Sequence, residues 1–314
     1  MNHHVVPPLL LALVTAMALP RALARGRWTH QAPRLAIATW GFLAVTFVGA
    51  TAMTVLQLLL PLKSSHRLSA HAEACLPWTA KACTMPDIAT LSTADITVFS
   101  ASALLVFVPV VSFLAQAIHA RRQRNRHAEL VNLVGRREHV WGATLVDHAT
   151  PAVYCLPGRT PQVVLSTGAM AALTRAQLRA VLHHERAHIR GRHHLVTAAV
   201  GSLARLLPVL PLMRHLRTEV PLLLEMAADD RALRSCSREA LATALYSMAA
   251  GQVPRPALAA GGPSAVLRMR RILTPGAGHP VLLGLFATAA AVAATAPLVL
   301  ACCSIPGPFL YGST

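Results

Sequence analysis

Residues 174–191 read Thr-Arg-Ala-Gln-Leu-Arg-Ala-Val-Leu-His-His-Glu-Arg-Ala-His-Ile-Arg-Gly. Thr174 followed three residues later by Gln177 is a capping box, in which each side chain accepts the other residue's backbone N–H, so a helix should open there. Leu178, Val181, Leu182 and Ile189 recur at helical spacing and give that helix a buried stripe. Inside it, His184-Glu185-Arg186-Ala187-His188 has the form H-E-x-x-H. Two histidines four apart project from one face and can grip a single zinc ion. Glu185 is turned about 100° from His184, close enough to take a proton from the attacking water. Zinc lowers the pKa of water to about 7 and polarises a scissile carbonyl, which is the core of metal-assisted peptide hydrolysis. A helix that merely shows His and Glu to solvent is the ordinary alternative; the cap and the apolar stripe argue against it.

A catalytic zinc takes three protein ligands and keeps a further position open. Two residues compete for the third place. Read literally, His184-Glu-x-x-His188-x-x-Gly191-x-x-His194 is the long metzincin pattern, with His194 as ligand. The rival is Glu225-Met-Ala-Ala-Asp229, 37 residues beyond His188. Pro221 suits the first turn of a helix, on which Glu225 and Asp229 would share a face. Glu225 could then bind zinc, while Asp229 accepts a hydrogen bond from a ligand imidazole. Apolar neighbours at 222–224 and 226–228 argue against a solvated face, and burying two carboxylates so close together requires a cation.

Composition sets the surroundings. The chain has 314 residues, 54% hydrophobic and 13% charged, with a net charge of +17. Soluble domains carry about 25% charged residues, so a soluble enzyme and a disordered chain are both excluded. Four apolar stretches, at about 5–19, 35–62, 96–118 and 281–303, have spanning character, the first being short. Four Arg lie in 21–34, three basic residues in 63–93, and the other 22 in 120–278. The positive-inside rule then places 21–34 and 120–278 in the cytoplasm, and the loop 63–93 and both termini outside. The stretch 195–213 holds Arg205, Pro208 and Pro211 and is read as a helical hairpin on the membrane surface, because a full span would separate His188 from Glu225. Cys75 and Cys83 fall in the outer loop, where a disulfide could persist as readily as two free thiols. Residues 253–264 read as a linker. Arg121–Arg126, and Arg268, Arg270 and Arg271, flank apolar stretches and are read as facing anionic lipid. Direct nucleic-acid binding is not expected, since aromatic residues are only 4% and no reading motif is present.

The arrangement resembles the BlaR/MecR family of membrane metallopeptidases and, more distantly, the HtpX-type membrane peptidases. Both are gluzincins, with H-E-x-x-H and a downstream Glu-x-x-x-Asp. The matching residues are His184, Glu185, His188, Glu225 and Asp229; the segment 161–170 and the order of three spans, protease domain and fourth span also fit. The resemblance implies one zinc per chain at His184, His188 and Glu225, with His194 only a polar neighbour. It implies a cytosolic protein substrate, a winged-helix transcriptional repressor, cleaved in transmembrane signalling. The rivals are quality-control proteolysis of HtpX type and an inactive membrane scaffold or receptor. The penicillin-binding domain that follows the fourth span in the family's antibiotic sensors is not expected here: about a dozen residues follow it, and no S-x-x-K occurs. In gluzincins an edge strand beside the active helix holds extended substrate. Residues 152–156 and 162–166 read as strands joined by the turn-rich 157–161, and Val163, Val164, Leu165 and Ser166 are taken as that edge.

The expected fold is therefore a mainly α membrane protein with about four transmembrane helices and a cytoplasmic α+β gluzincin domain containing a small hairpin or sheet. Residues 1–119 would form the first three spans and the outer loop, 120–278 the metallopeptidase domain, and 279–314 the fourth span and a short outer tail.

Overall fold

The computed structural model describes residues 5–26, 28–59, 93–252 and 262–274. The loop 63–92 with Cys75 and Cys83, the apolar stretch 281–303 and its tail, and residues 253–261 of the linker lie outside the described residues.

Helix α1 runs Val6–Arg25, with Pro7 and Pro8 in its first turn and a π-helical turn at Val14–Ala18. The helix thus continues past the apolar run through Arg21 and Arg25. A short α2, Trp28–Gln31, leads into α3, Pro33–Leu59, and the next described helix is α4, Thr93–Val134. Among the described residues, three helices are long and apolar enough to cross a membrane: Val6–Arg25, Pro33–Val55 and the segment Ala103–Val134. At 42 residues, α4 is about 63 Å long, so it continues well past a bilayer's thickness. It stops at Gly135, where the chain turns into the sheet; a Cβ there would sit 2.5 Å from the Thr144 side chain.

The sheet has four strands: β1 Arg136–Glu138, β2 Ala143–Val146, β3 Val153–Leu156 and β4 Gln162–Ser166, in the order β1-β2-β4-β3. β2 and β4 are parallel; the other two pairings are antiparallel. The hairpin of β3 and β4 falls where expected. Its edge does not: β4 is paired on both sides, and Val163, Val164, Leu165 and Ser166 are all buried. The free edge beside it is β3. Ser166 instead caps the short α5, Thr167–Ala172, by accepting the Ala169 N–H.

Helix α6, Arg175–Arg190, opens on the full Thr174/Gln177 capping box. Its stripe of Leu178, Val181 and Leu182 packs on Val163, Leu165 and Ala169 of the sheet layer and on Ala244. A turn at Gly191 and Arg192, the latter in the left-handed region at φ 50°, leads into α7, His193–Leu206. Next comes α8, Pro211–Ala232. Proline at the first position of a helix costs nothing there, and this role belongs to Pro211; Pro221 sits in the helix interior, ten residues later than expected of a start. One face of α8, with Leu212, Leu216, Val220 and Leu223, joins Trp40, Leu43 and Phe47 of α3 in the largest core. Two helices complete the domain: α9, Arg238–Gln252, and α10, Gly262–Leu273. Ile272 of α10, 1% exposed, locks into Ala180, Ala232 and Leu241, which anchors α10 against α6 and α8.

Leu182, also 1% exposed, ties α6 to the sheet. Leu182→Ala should cost about 2–5 kcal/mol by the cavity it leaves. A thermal melt of the metal-free chain should show this, with the exposed Leu207→Ala nearly neutral.

Candidate metal centre

Two helices meet at a cluster of imidazoles and carboxylates. His184 and His188 stand on the same face of α6; Glu225 and Asp229 stand on the facing side of α8. His184 Nε2 and His188 Nε2 are 3.1 Å apart, and they lie 3.3 and 3.4 Å from the two Glu225 oxygens. A tetrahedral ion with ligand bonds of about 2.0–2.1 Å holds its ligands about 3.3 Å apart. The donor set therefore has the spacing, and with two nitrogens and one carboxylate the chemistry, that fits zinc. Among the described residues these three converge as a potential metal site, and His194 is not part of the group.

Each imidazole is secured through its other nitrogen, as metal-ligating histidines usually are. His184 Nδ1 lies 3.0 Å from Oδ1 of Asp229, whose side chain is wholly buried. An N–H facing that carboxylate leaves the Nε2 lone pair for the metal. His188 Nδ1 is 2.9 Å from His193 Nδ1. The left-handed residue Arg192 makes this possible, because it turns the chain back so that the first residue of α7 meets α6. The sequence offered His193 only as one of several possible oxyanion donors, not as a partner of a ligand imidazole.

Arg268 escaped the sequence reading. Taken as facing lipid, it instead points into the centre: its Nε and Nη2 donate to the two Asp229 oxygens at 2.9 and 2.8 Å, and Nη1 lies 2.9 Å from Glu225. Arg271 pairs with Asp230 at 2.7 Å and donates to the His30 carbonyl. Neither guanidinium is available to a headgroup. Both carboxylates were expected to need a cation, and Arg268 is one that spacing along the chain could not reveal.

Electrostatics follow from this packing. Burial works against the charge of Asp229, but Arg268 and His184 override it and hold the carboxyl at about 2. Glu225 likewise sits at about 2 despite burial, held by His184 and Arg268. His184 is raised to about 9, because Asp229 and Glu225 overcome a burial that would lower it. Burial is also the main reason that His188 falls to about 4. Glu185 is pushed up, chiefly by burial, toward the range useful to a general base. Cys155 on β3 lies beside it, its thiol and backbone working against that rise. That places the free strand edge directly beside the candidate base. Burial and the Glu185 charge drive the Cys155 thiol up to about 12, so it stays protonated and is no nucleophile.

Residues 117–221 match the family model described as peptidase family M48. The match spans one third of the chain and includes His184, Glu185 and His188; it supports a membrane-associated zinc metallopeptidase. It stops four residues short of Glu225, so Glu225, Asp229 and Arg268 enter the site on geometry alone. No curated protein and no solved structure matches the chain.

Two measurements probe the centre. At pH 7 the His184 proton, bound up to about 9, competes with metal, whereas His188 and Glu225 carry none. Zinc uptake should then release about one proton, and apparent affinity should climb as pH rises toward 9; calorimetry in buffers of different ionisation enthalpy reads both. Arg268→Met strands the buried Asp229 and should cost about 3–5 kcal/mol, much of it recovered in the double variant with Asp229→Asn; melts of the metal-free chains check this.

Proposed function

We propose that this chain is a membrane-anchored zinc endopeptidase that hydrolyses peptide bonds of a cytosolic protein. The observation that carries the reading is the convergence of His184, His188 and Glu225 next to a half-buried Glu185 beside the edge strand β3. A zinc ion held by those three residues supplies Lewis-acid polarisation of a carbonyl and an acidified water. Glu185 takes the proton of the attacking water and hands it to the leaving amine. Cys155 and its neighbours on β3 hold the substrate backbone in extended form, a sequence-tolerant mode of binding. Asp229 and His193 keep the two imidazoles in register throughout.

The distribution of basic residues supports a cytoplasmic catalytic domain with both termini outside. A transcriptional repressor as substrate, cleaved to relay a signal across the membrane, is what the resemblance to the BlaR/MecR family adds. Cleavage of one winged-helix repressor at one bond would support that role. Broad degradation of unfolded membrane proteins would move the function to quality control.

Glu185→Gln should retain about one zinc per chain and lose peptide hydrolysis by at least about a hundredfold. Glu225→Ala should lose the zinc, and His194→Ala should keep it. Metal analysis and a cleavage assay on the same purified chains decide this: hydrolysis surviving in Glu185→Gln, or zinc lost only from His194→Ala, overturns the assignment.

A further inference from the structure

A cleft of about 410 Å³ runs from the metal ligands His188 and Glu225 to the cytosolic extension of α4. Cys155 on β3 and Leu224 on α8 form its walls, and Arg124 and His194 line it as well. Arg124 stands within a run of arginines, yet it differs from its neighbours. Arg121, Arg122 and Arg126 are exposed, whereas Arg124 is half-buried and turned into the cleft. Its Nε is buried without an acceptor, and Arg124 makes no hydrogen bond or ion pair among the described residues. His194 Nδ1 is likewise buried and without a partner.

Three other half-buried arginines of the domain have partners: Arg268 and Arg271 hold carboxylates, and Arg186 donates to the Trp141 carbonyl. Leaving a buried N–H without an acceptor is costly, and such groups in native structures call for an explanation. The carboxylate that lines the same cleft, Glu225, is committed to His184, His188 and Arg268. Arg124 thus gives a cationic end, with the His194 imidazole beside it, to a cleft whose other end carries the chemistry.

Resting on the peptidase reading above, we infer that Arg124 and His194 form a specificity subsite that binds a carboxylate of the peptide substrate. A planar guanidinium matches a carboxylate bidentately, and the position along the cleft fixes how far that carboxylate lies from the cleaved bond. The carboxylate comes from an Asp or Glu side chain, or from a free C-terminus.

The test uses the full chain, zinc-loaded in detergent, on a digest of unfolded proteins with C-termini free or amidated, and cleaved bonds are read by mass spectrometry. Asp and Glu should be enriched at one fixed position from the cleaved bond. Arg124→Gln should lose the enrichment, and Arg124→Lys, which keeps the charge, should retain part of it. Loss of cleavage on amidation would assign the subsite to a terminal carboxylate instead. Cleavage without acidic enrichment and insensitive to amidation, or enrichment unchanged in Arg124→Gln, overturns the proposal. A second arm does not depend on turnover. An acidic peptide should bind the Glu185→Gln chain about tenfold tighter than its Gln-substituted counterpart, and adding Arg124→Gln should erase the difference. Equal affinities overturn the subsite even if the chain hydrolyses peptides; a clear difference with no hydrolysis by the unmutated chain upholds it and sinks the peptidase reading alone.

Discussion

A carboxylate without exposed surface, Asp229, holds this centre together. An isolated buried charge of that kind is not tolerated and must be paired and hydrogen-bonded. Asp229 accepts two hydrogen bonds from the guanidinium of Arg268 and lies in ion-pair contact, at 3.0 Å, with the imidazole of His184. Those two contacts join α6, α8 and α10, which are distant along the chain. Orientation of the first ligand histidine, placement of Glu225 and docking of α10 therefore stem from one ionised group. In a chain with only 12 acidic residues, spending three of them here, at positions 185, 225 and 229, indicates how strongly the site's chemistry shapes the composition around it.

Helix α8 faces two ways. Its Glu225 and Asp229 side looks into the metal centre, while Leu212, Leu216, Val220 and Leu223 are buried with Trp40, Leu43 and Phe47 of an apolar helix suited to a bilayer. Trp40 also stacks on His215 of α8, with ring centroids 6.2 Å apart. Close-packed interfaces shift between discrete arrangements rather than deforming smoothly. A change in the packing of α3 thus has a direct mechanical route to Glu225, with α8 as the rigid element between them.

Local pattern made part of this readable. The capping box and stripe of α6 and the i, i+4 spacing of Glu225 and Asp229 depend on neighbours along one helix, and both appear in the structure where the pattern put them. The edge strand was misread for a reason visible afterwards: Val163-Val164-Leu165 is a continuous apolar run, which marks a strand covered on both faces inside a sheet. β1 and β2, at three and four residues, are too short for alternation to register. His193 depends on a single left-handed residue, Arg192. Arg268 depends on α10 folding back onto α8, and an arginine cluster before an apolar stretch offers no local cue to separate it from lipid-facing neighbours. Of these, the Arg268 contact, 39 residues from Asp229, is the long-range one.

The uninterrupted run of α4 from its apolar part into the domain sets a distance. Counting from the end of its apolar stretch at Ile118, Arg124 stands six residues further, about 9 Å along a helix axis. If the hydrocarbon boundary lies at Ile118, the mouth of the cleft stands at about the depth of the headgroup layer. A bulky partner has little clearance there, whereas an extended segment can pass. Reachable segments would be tethered stalks, unfolded tails, or strands emerging from the bilayer itself, so steric clearance would select substrates before any side chain is read.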